Sequence, residues 1–138
     1  TLDWMQKELT ARRPVPLMEI HGTEDKTSLW EGDPGNKGGW GAYIAVPIAV
    51  GNWVSRARCS FRMADTLAMK VPSEPVTDPK KQPHQVVLHR YMGGVPARKG
   101  GPQTEVWLYE VIGGNHSWSD HSMDTYDEIW RFFSKWLR

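Results

Sequence analysis

The stretch EVWLYEVIGGNHSW, residues 105–118, decides the fold class. It opens with a β-prone run rich in Val, Trp and Tyr, Glu105 to Ile112, and the run stops at Gly113-Gly114. A strand that ends in a glycine turn leaves His116 at a sheet end with its imidazole exposed. A similar layout stands near the start of the chain in PVPLMEIHGTED, residues 14–25. Val15 to Ile20 is a short apolar run broken by Glu19, and polar residues take over after His21-Gly22. Both polar loops then lie at strand C-terminal ends, where open α/β sheets carry their sites.

The chain between and beyond these units supplies more elements. From Tyr43 to Cys59 the residues Pro47, Val50, Val54 and Ala57 share a helical face, with Trp53 beside them, so a helix starts near Pro47. Val86 to Met92 is strand-like. Tyr126, Ile129, Trp130, Phe133 and Leu137 recur at helical spacing, with Asp124, Asp127 and Glu128 early and Arg131, Lys135 and Arg138 late. That pattern predicts a final amphipathic helix docking this stripe on a sheet. Thr1 to Leu9 has the composition of a helix end, and Pro14 and Pro16 forbid its continuation. Glycine density over Glu31 to Gly41 predicts a loop. Residues 60–85 carry Pro72, Pro75, Pro79 and Pro83 without periodicity and predict a long surface loop.

The sum is an α/β chain of about three strands and about three helices, too few to cover every sheet edge and face. Its opening at Thr1 lacks the charged-then-apolar layout of a signal peptide. Residues 1–138 are therefore expected to be the latter portion of a single larger domain, incomplete on its own, with the absent N-terminal half or another copy of the chain as partner.

Composition narrows the function classes. At 138 residues the chain can bury one core. Seventeen Lys and Arg against sixteen Asp and Glu leave a net charge of +1 with no basic block, which argues against a nucleic-acid partner. No apolar run approaches the roughly 20 residues that cross a bilayer, so no membrane partner is expected. Cys59 is the single cysteine and cannot form an internal disulfide or a Cys-rich zinc site; it reads as a small buried apolar residue. Eight tryptophans are heavy for this length and favour packing over sugar platforms as a group. Trp30, Trp40 and Trp118 fall in loops, where they suit stacking on a sugar or an aromatic acid, whereas Trp130 and Trp136 belong to the final helix and pack.

The chemistry rests on the two strand-end loops. Asp25 is the carboxylate best placed to hold the Nδ1 proton of His116, with Asp33 as its competitor. In such a pair the acid fixes the tautomer and the histidine shuttles a hydroxyl proton. A lone aspartate in a polar loop is usually a solvated turn residue, and a lone histidine is usually structural. The matched layout of both loops is what favours chemistry here. His21 supports its loop rather than reacting, and His84, His89 and His121 read as solvated or core-edge residues. None of these shows the i, i+4 spacing of a helical metal pair, and a metal on His116, Asp120 and His121 is disfavoured.

The succession PVPLMEIHGTED, a helix with Trp53 ahead of Cys59, EVWLYEVIGGNHSW and DTYDEIWRFFSKWL resembles the latter half of the polyhydroxybutyrate depolymerase and feruloyl or acetylxylan esterase family. The resemblance implies an α/β-hydrolase sheet, a Ser-Asp-His triad in that chain order and no cofactor. It implies that Asp25 is the acid, that His116 is the histidine and that Trp118 is the cleft aromatic that follows it. It also implies an ester substrate, either an acylated carbohydrate such as plant polysaccharide, a hydroxycinnamoyl ester or a polyester, and a secreted or periplasmic setting. No serine lies in Gly-x-Ser-x-Gly, so the nucleophile and oxyanion hole are expected outside this chain, which alone should be inactive. Gly-Gly-Asn-His replaces the usual Gly-Gly-Gly-His or Gly-Gly-His, Ser119 stands where proline often follows the tryptophan, and residues 60–85 match nothing in the family. The alternative from another class is a non-catalytic Trp-rich carbohydrate-binding or assembly module, and a truncated esterase completing its sheet as a dimer is a third.

Overall fold

Alternate residues of the two site-bearing strands enter two different apolar environments, one on each face of a sheet. A computed structural model describes residues 13–137, apart from the side chain of Lys80. The helix expected over Thr1–Leu9 lies outside the described residues. In chain order the elements are β1 (Leu17–Gly22), β2 (Gly32–Asp33), β3 (Tyr43–Ile44), α1 (Val46–Ala57), β4 (Phe61–Thr66), β5 (Val86–Met92), β6 (Val106–Val111) and α2 (Thr125–Phe133). Four strands form one mixed sheet in the order β1-β6-β5-β4, and β2 pairs with β3 in a small separate ribbon. β1 and β6 run parallel, from Leu17 opposite Val106 to Gly22 opposite Val111. β5 is antiparallel to β6 and β4 is antiparallel to β5.

On one face Met18 and Ile20 join Val86, Leu88, Trp107, Tyr109 and Val111 against Phe132 of α2. On the other, Leu17, Val106 and Leu108 meet Val46, Val50 and Ala57 of α1. Pro47 sits in the first turn of α1, where its missing N–H costs no helical bond. That helix ends on Arg58 in the left-handed region (φ 55°), with the Arg58 N–H donating to Ser55 O and the Cys59 N–H to Val54 O. The architecture is therefore a mixed α/β sheet with a helix on each face.

Three expectations need correction. The sheet has a fourth strand inside the stretch read as a loop: β4 occupies residues 61–66, and the loop proper is 67–85. β4 escaped notice because nearly all of it is exposed, so Phe61–Thr66 carries no buried alternation; its register comes from β5. A whole uncovered sheet face was expected, whereas each face carries a helix and β4 at the sheet edge stays exposed. The final helix docks by a different stripe: Phe132 is fully buried with Trp136 packed beside it, while Tyr126, Trp130, Phe133 and Leu137 are at least half exposed. Tyr126, Trp130 and Phe133 share one face of α2 and Phe132 lies off that stripe, so helical spacing points to a face other than the one that packs. Tertiary contacts choose it: Phe132 meets Trp107 edge-on at 5.2 Å, Glu128 accepts from the Tyr109 hydroxyl, and Lys135 pairs with Glu105 at 2.9 Å.

Candidate active site

Parallel pairing of β1 and β6 brings the loops after Gly22 and Val111 side by side, and hydrogen bonds zip them together. The Thr23 N–H donates to Val111 O (3.0 Å), the Glu24 N–H to Gly114 O (2.9 Å) and the Gly113 N–H to Thr23 Oγ1 (2.8 Å). Only glycine permits this approach: a Cβ on Gly22 would lie 2.2 Å from Gly114 O. The glycines read from the sequence as turn formers are also what lets the two loops touch.

The structure brings Asp25 and His116 together. Asp25 Oδ2 accepts from His116 Nδ1 at 2.8 Å, across 91 residues of sequence. Its other oxygen, Oδ1, accepts the N–H groups of Thr27 (2.8 Å) and Ser28 (2.9 Å), which locks the carboxylate in its own turn. Burial works to raise the Asp25 carboxyl, but the Ser28 N–H, the His116 ring and the Thr27 N–H outweigh it and hold it below the ordinary aspartate value. Asp25 is thus an ionised, oriented acceptor. His116 is the exposed member, with 61% of its side chain accessible. With Nδ1 committed to Asp25, Nε2 is on the solvent side of the ring, where it can take a proton from a hydroxyl.

A cleft of about 490 Å³ runs past this pair, lined by His21, Asn115, Ser117 and Trp118 among others. Trp118 is 53% exposed and leans on Tyr126 with ring centroids 6.1 Å apart. Trp30 does not reach the cleft: it is partly buried under α1, with its ring 6.0 Å from that of His21. Trp40, 77% exposed, stands over a neighbouring hollow that includes Lys26, Thr27 and Asp33. Asp33, the competing acid, has its carboxylate occupied by the N–H groups of Lys37 (2.9 Å) and Gly38 (2.7 Å) and serves its own loop. His89 bonds Glu110 and Arg62 on the sheet face, and His121 sits by the 67–85 loop. Among the described residues no group of three or more His, Cys, Asp or Glu side chains is arranged to hold a metal. None of their helices is long and apolar enough to cross a membrane.

Sequence reasoning missed the partner of His21. Glu19, noted only as an interruption of an apolar strand, turns its carboxylate to His21 Nδ1 at 3.1 Å. The signal was present in the alternation, since residues 19 and 21 of a strand share a face.

No protein-family model, curated protein or solved structure matches this chain.

Proposed function

We propose that this chain carries the acid and histidine of a serine-type carboxylic ester hydrolase. The observation behind the reading is the Asp25–His116 hydrogen bond at the C-terminal ends of adjacent parallel strands. A carboxylate with both oxygens committed, one to the backbone and one to an exposed imidazole, is the apparatus that a serine hydroxyl needs for activation. The order of acid then histidine along the chain fits an α/β-hydrolase whose serine elbow and oxyanion hole come from a preceding segment. His116 then takes the serine proton through Nε2, an acyl-enzyme forms with expulsion of the alcohol, and water releases the acid by the reverse proton transfer. Trp118, beside His116, suits the sugar or aromatic group of an acylated carbohydrate or hydroxycinnamoyl ester; a polyester chain is accommodated by the same open cleft.

The test is expression of the chain with its upstream coding region and assay on p-nitrophenyl acetate and acetylated xylan. Turnover that falls by at least about 10³-fold on His116→Ala is expected, while the 138-residue chain alone stays at background. An upstream region without a strand-borne serine elbow, or turnover indifferent to His116→Ala, refutes the assignment.

Trp40 favours a second reading, because a tryptophan 77% exposed beside a hollow is a sugar-stacking platform that needs no catalysis. Binding of xylan oligosaccharides by the chain alone, abolished by Trp40→Ala and untouched by His116→Ala, would select the carbohydrate-binding module.

A further inference from the structure

We propose that His21 is a positioning residue for the Asp25–His116 pair, holding the Asp25 turn from beneath as an imidazolium and releasing it when it loses a proton. The inference rests on the proposed role of that pair.

His21, the last residue but one of β1, lies on the sheet face under α1 with only 10% of its side chain accessible. Its Nε2 lies 2.7 Å from the carbonyl oxygen of Ser28. A carbonyl only accepts, so Nε2 must carry a proton. Its Nδ1 faces the Glu19 carboxylate at 3.1 Å, and that contact is attractive only if Nδ1 carries one too. Both partners therefore select the doubly protonated ring. Ser28 is the residue whose N–H fixes Asp25 Oδ1, and His21 Nε2 itself lies 3.7 Å from Asp25 Oδ2. Glu19, His21, Ser28, Asp25 and His116 thus form one chain of contacts that passes through the buried His21 and Asp25 to the cleft.

The surroundings agree with a protonated ring. Glu19 comes from its own strand and Asp25 from the following loop. Across the sheet Glu110 stands opposite on β6, engaged with His89. Tyr43 shares with His21 the cavity of about 230 Å³ beneath α1, and the α1 residues lining it, Val46, Ala49, Val50 and Trp53, are uncharged. The Glu19 contact raises the His21 pKa above its ordinary 6.5, burial opposes it, and the Ser28 carbonyl adds to the rise. The direction fixes the pH window: the clamp is fully present below the unfolded value near 6.5 and is lost as pH rises through the higher folded value. On deprotonation Nε2–H stays with Ser28, and the bare Nδ1 lone pair faces the Glu19 carboxylate. That repulsion turns the ring and frees the Asp25 turn.

The test is an NMR titration of the histidine ring nitrogens, read through their non-exchanging ring protons, in the full 138-residue chain and in E19Q. The wild type is expected to show His21 doubly protonated at pH 6 and a second inflection in the His116 ring signals at the pH where His21 titrates. In E19Q the amide donates to a neutral His21 Nδ1, so that inflection disappears while the Asp25-bonded tautomer of His116 remains. H21Q, which keeps a donor for Ser28 without a charge, should likewise lack it. His116 held in the Asp25-bonded tautomer yet blind to His21 titration, or His21 neutral at pH 6, overturns the proposal alone. Absence of that tautomer in the wild type overturns both this proposal and the Asp25–His116 assignment.

Discussion

Replacing Gly22 with alanine tests the way the two loops are joined. The added Cβ would lie 2.2 Å from Gly114 O, 2.4 Å from Gly114 C and 2.8 Å from Asn115 O, all backbone atoms that no rotamer change can move. An ordinary carbon contact needs about 3.5 Å, so the strand ends must part by roughly 1 Å. Such overpacking costs about 1–3 kcal/mol by itself. The separation also strains the bonds from Thr23 N–H to Val111 O and from Glu24 N–H to Gly114 O, each contributing about 1 kcal/mol net. Gly22→Ala should therefore cost about 3 kcal/mol, or roughly 10 °C in Tm for a chain of this size. Urea unfolding at fixed protein concentration measures the loss, and the His116 ring tautomer reports whether Asp25 is still within reach. A cost below about 1 kcal/mol with the Asp25–His116 bond intact would refute the steric account of the glycine turns.

Two substitutions on α1 should move stability the other way. Gly51→Ala meets nothing within 4 Å and Arg58→Gly relieves a side chain at φ 55°, so each should gain about 0.5–1 kcal/mol by thermal unfolding, with no change at His116. Asp25→Asn should cost about 1–3 kcal/mol at pH 7. Because the Asp25 carboxyl is held below its ordinary value of 3.8, the wild type keeps this advantage above that pH and loses it as pH falls through the lower folded value. The gap between the urea curves of wild type and Asp25→Asn should therefore be constant above pH 3.8 and narrow progressively as the pH is lowered below it, and a difference independent of pH would contradict the assignment. The exposed stripe of Tyr126, Trp130, Phe133 and Leu137, together with a β1 outer edge that pairs with no described strand, should be covered by another copy or a preceding segment. Sedimentation of the chain alone should show self-association; a monodisperse, cooperatively melting monomer would count against it.

Local chemistry made much of this protein legible in its sequence. β5 and β6 announce themselves by runs of Val, Tyr and Trp, α1 by its apolar face and Pro47, and the two site loops by glycines after apolar strands. Asp25 and His116 follow from those loops, because parallel strands bring their C-terminal ends to one edge. Tertiary structure decided what local pattern leaves degenerate. β4 exists because β5 offers it a hydrogen-bonding edge, not because Phe61–Thr66 alternates in burial. α2 buries Phe132 rather than Phe133 because Trp107 and Glu105 wait for that face, although the stripe of Tyr126, Trp130 and Phe133 is the one its own spacing marks as apolar. Trp30 packs while Trp118 lines the cleft, although both are loop tryptophans, since burial depends on which element closes over them. The Glu19–His21–Ser28 contacts likewise required three dimensions: strand alternation puts Glu19 and His21 on one face, but only the returning turn delivers the Ser28 carbonyl to Nε2.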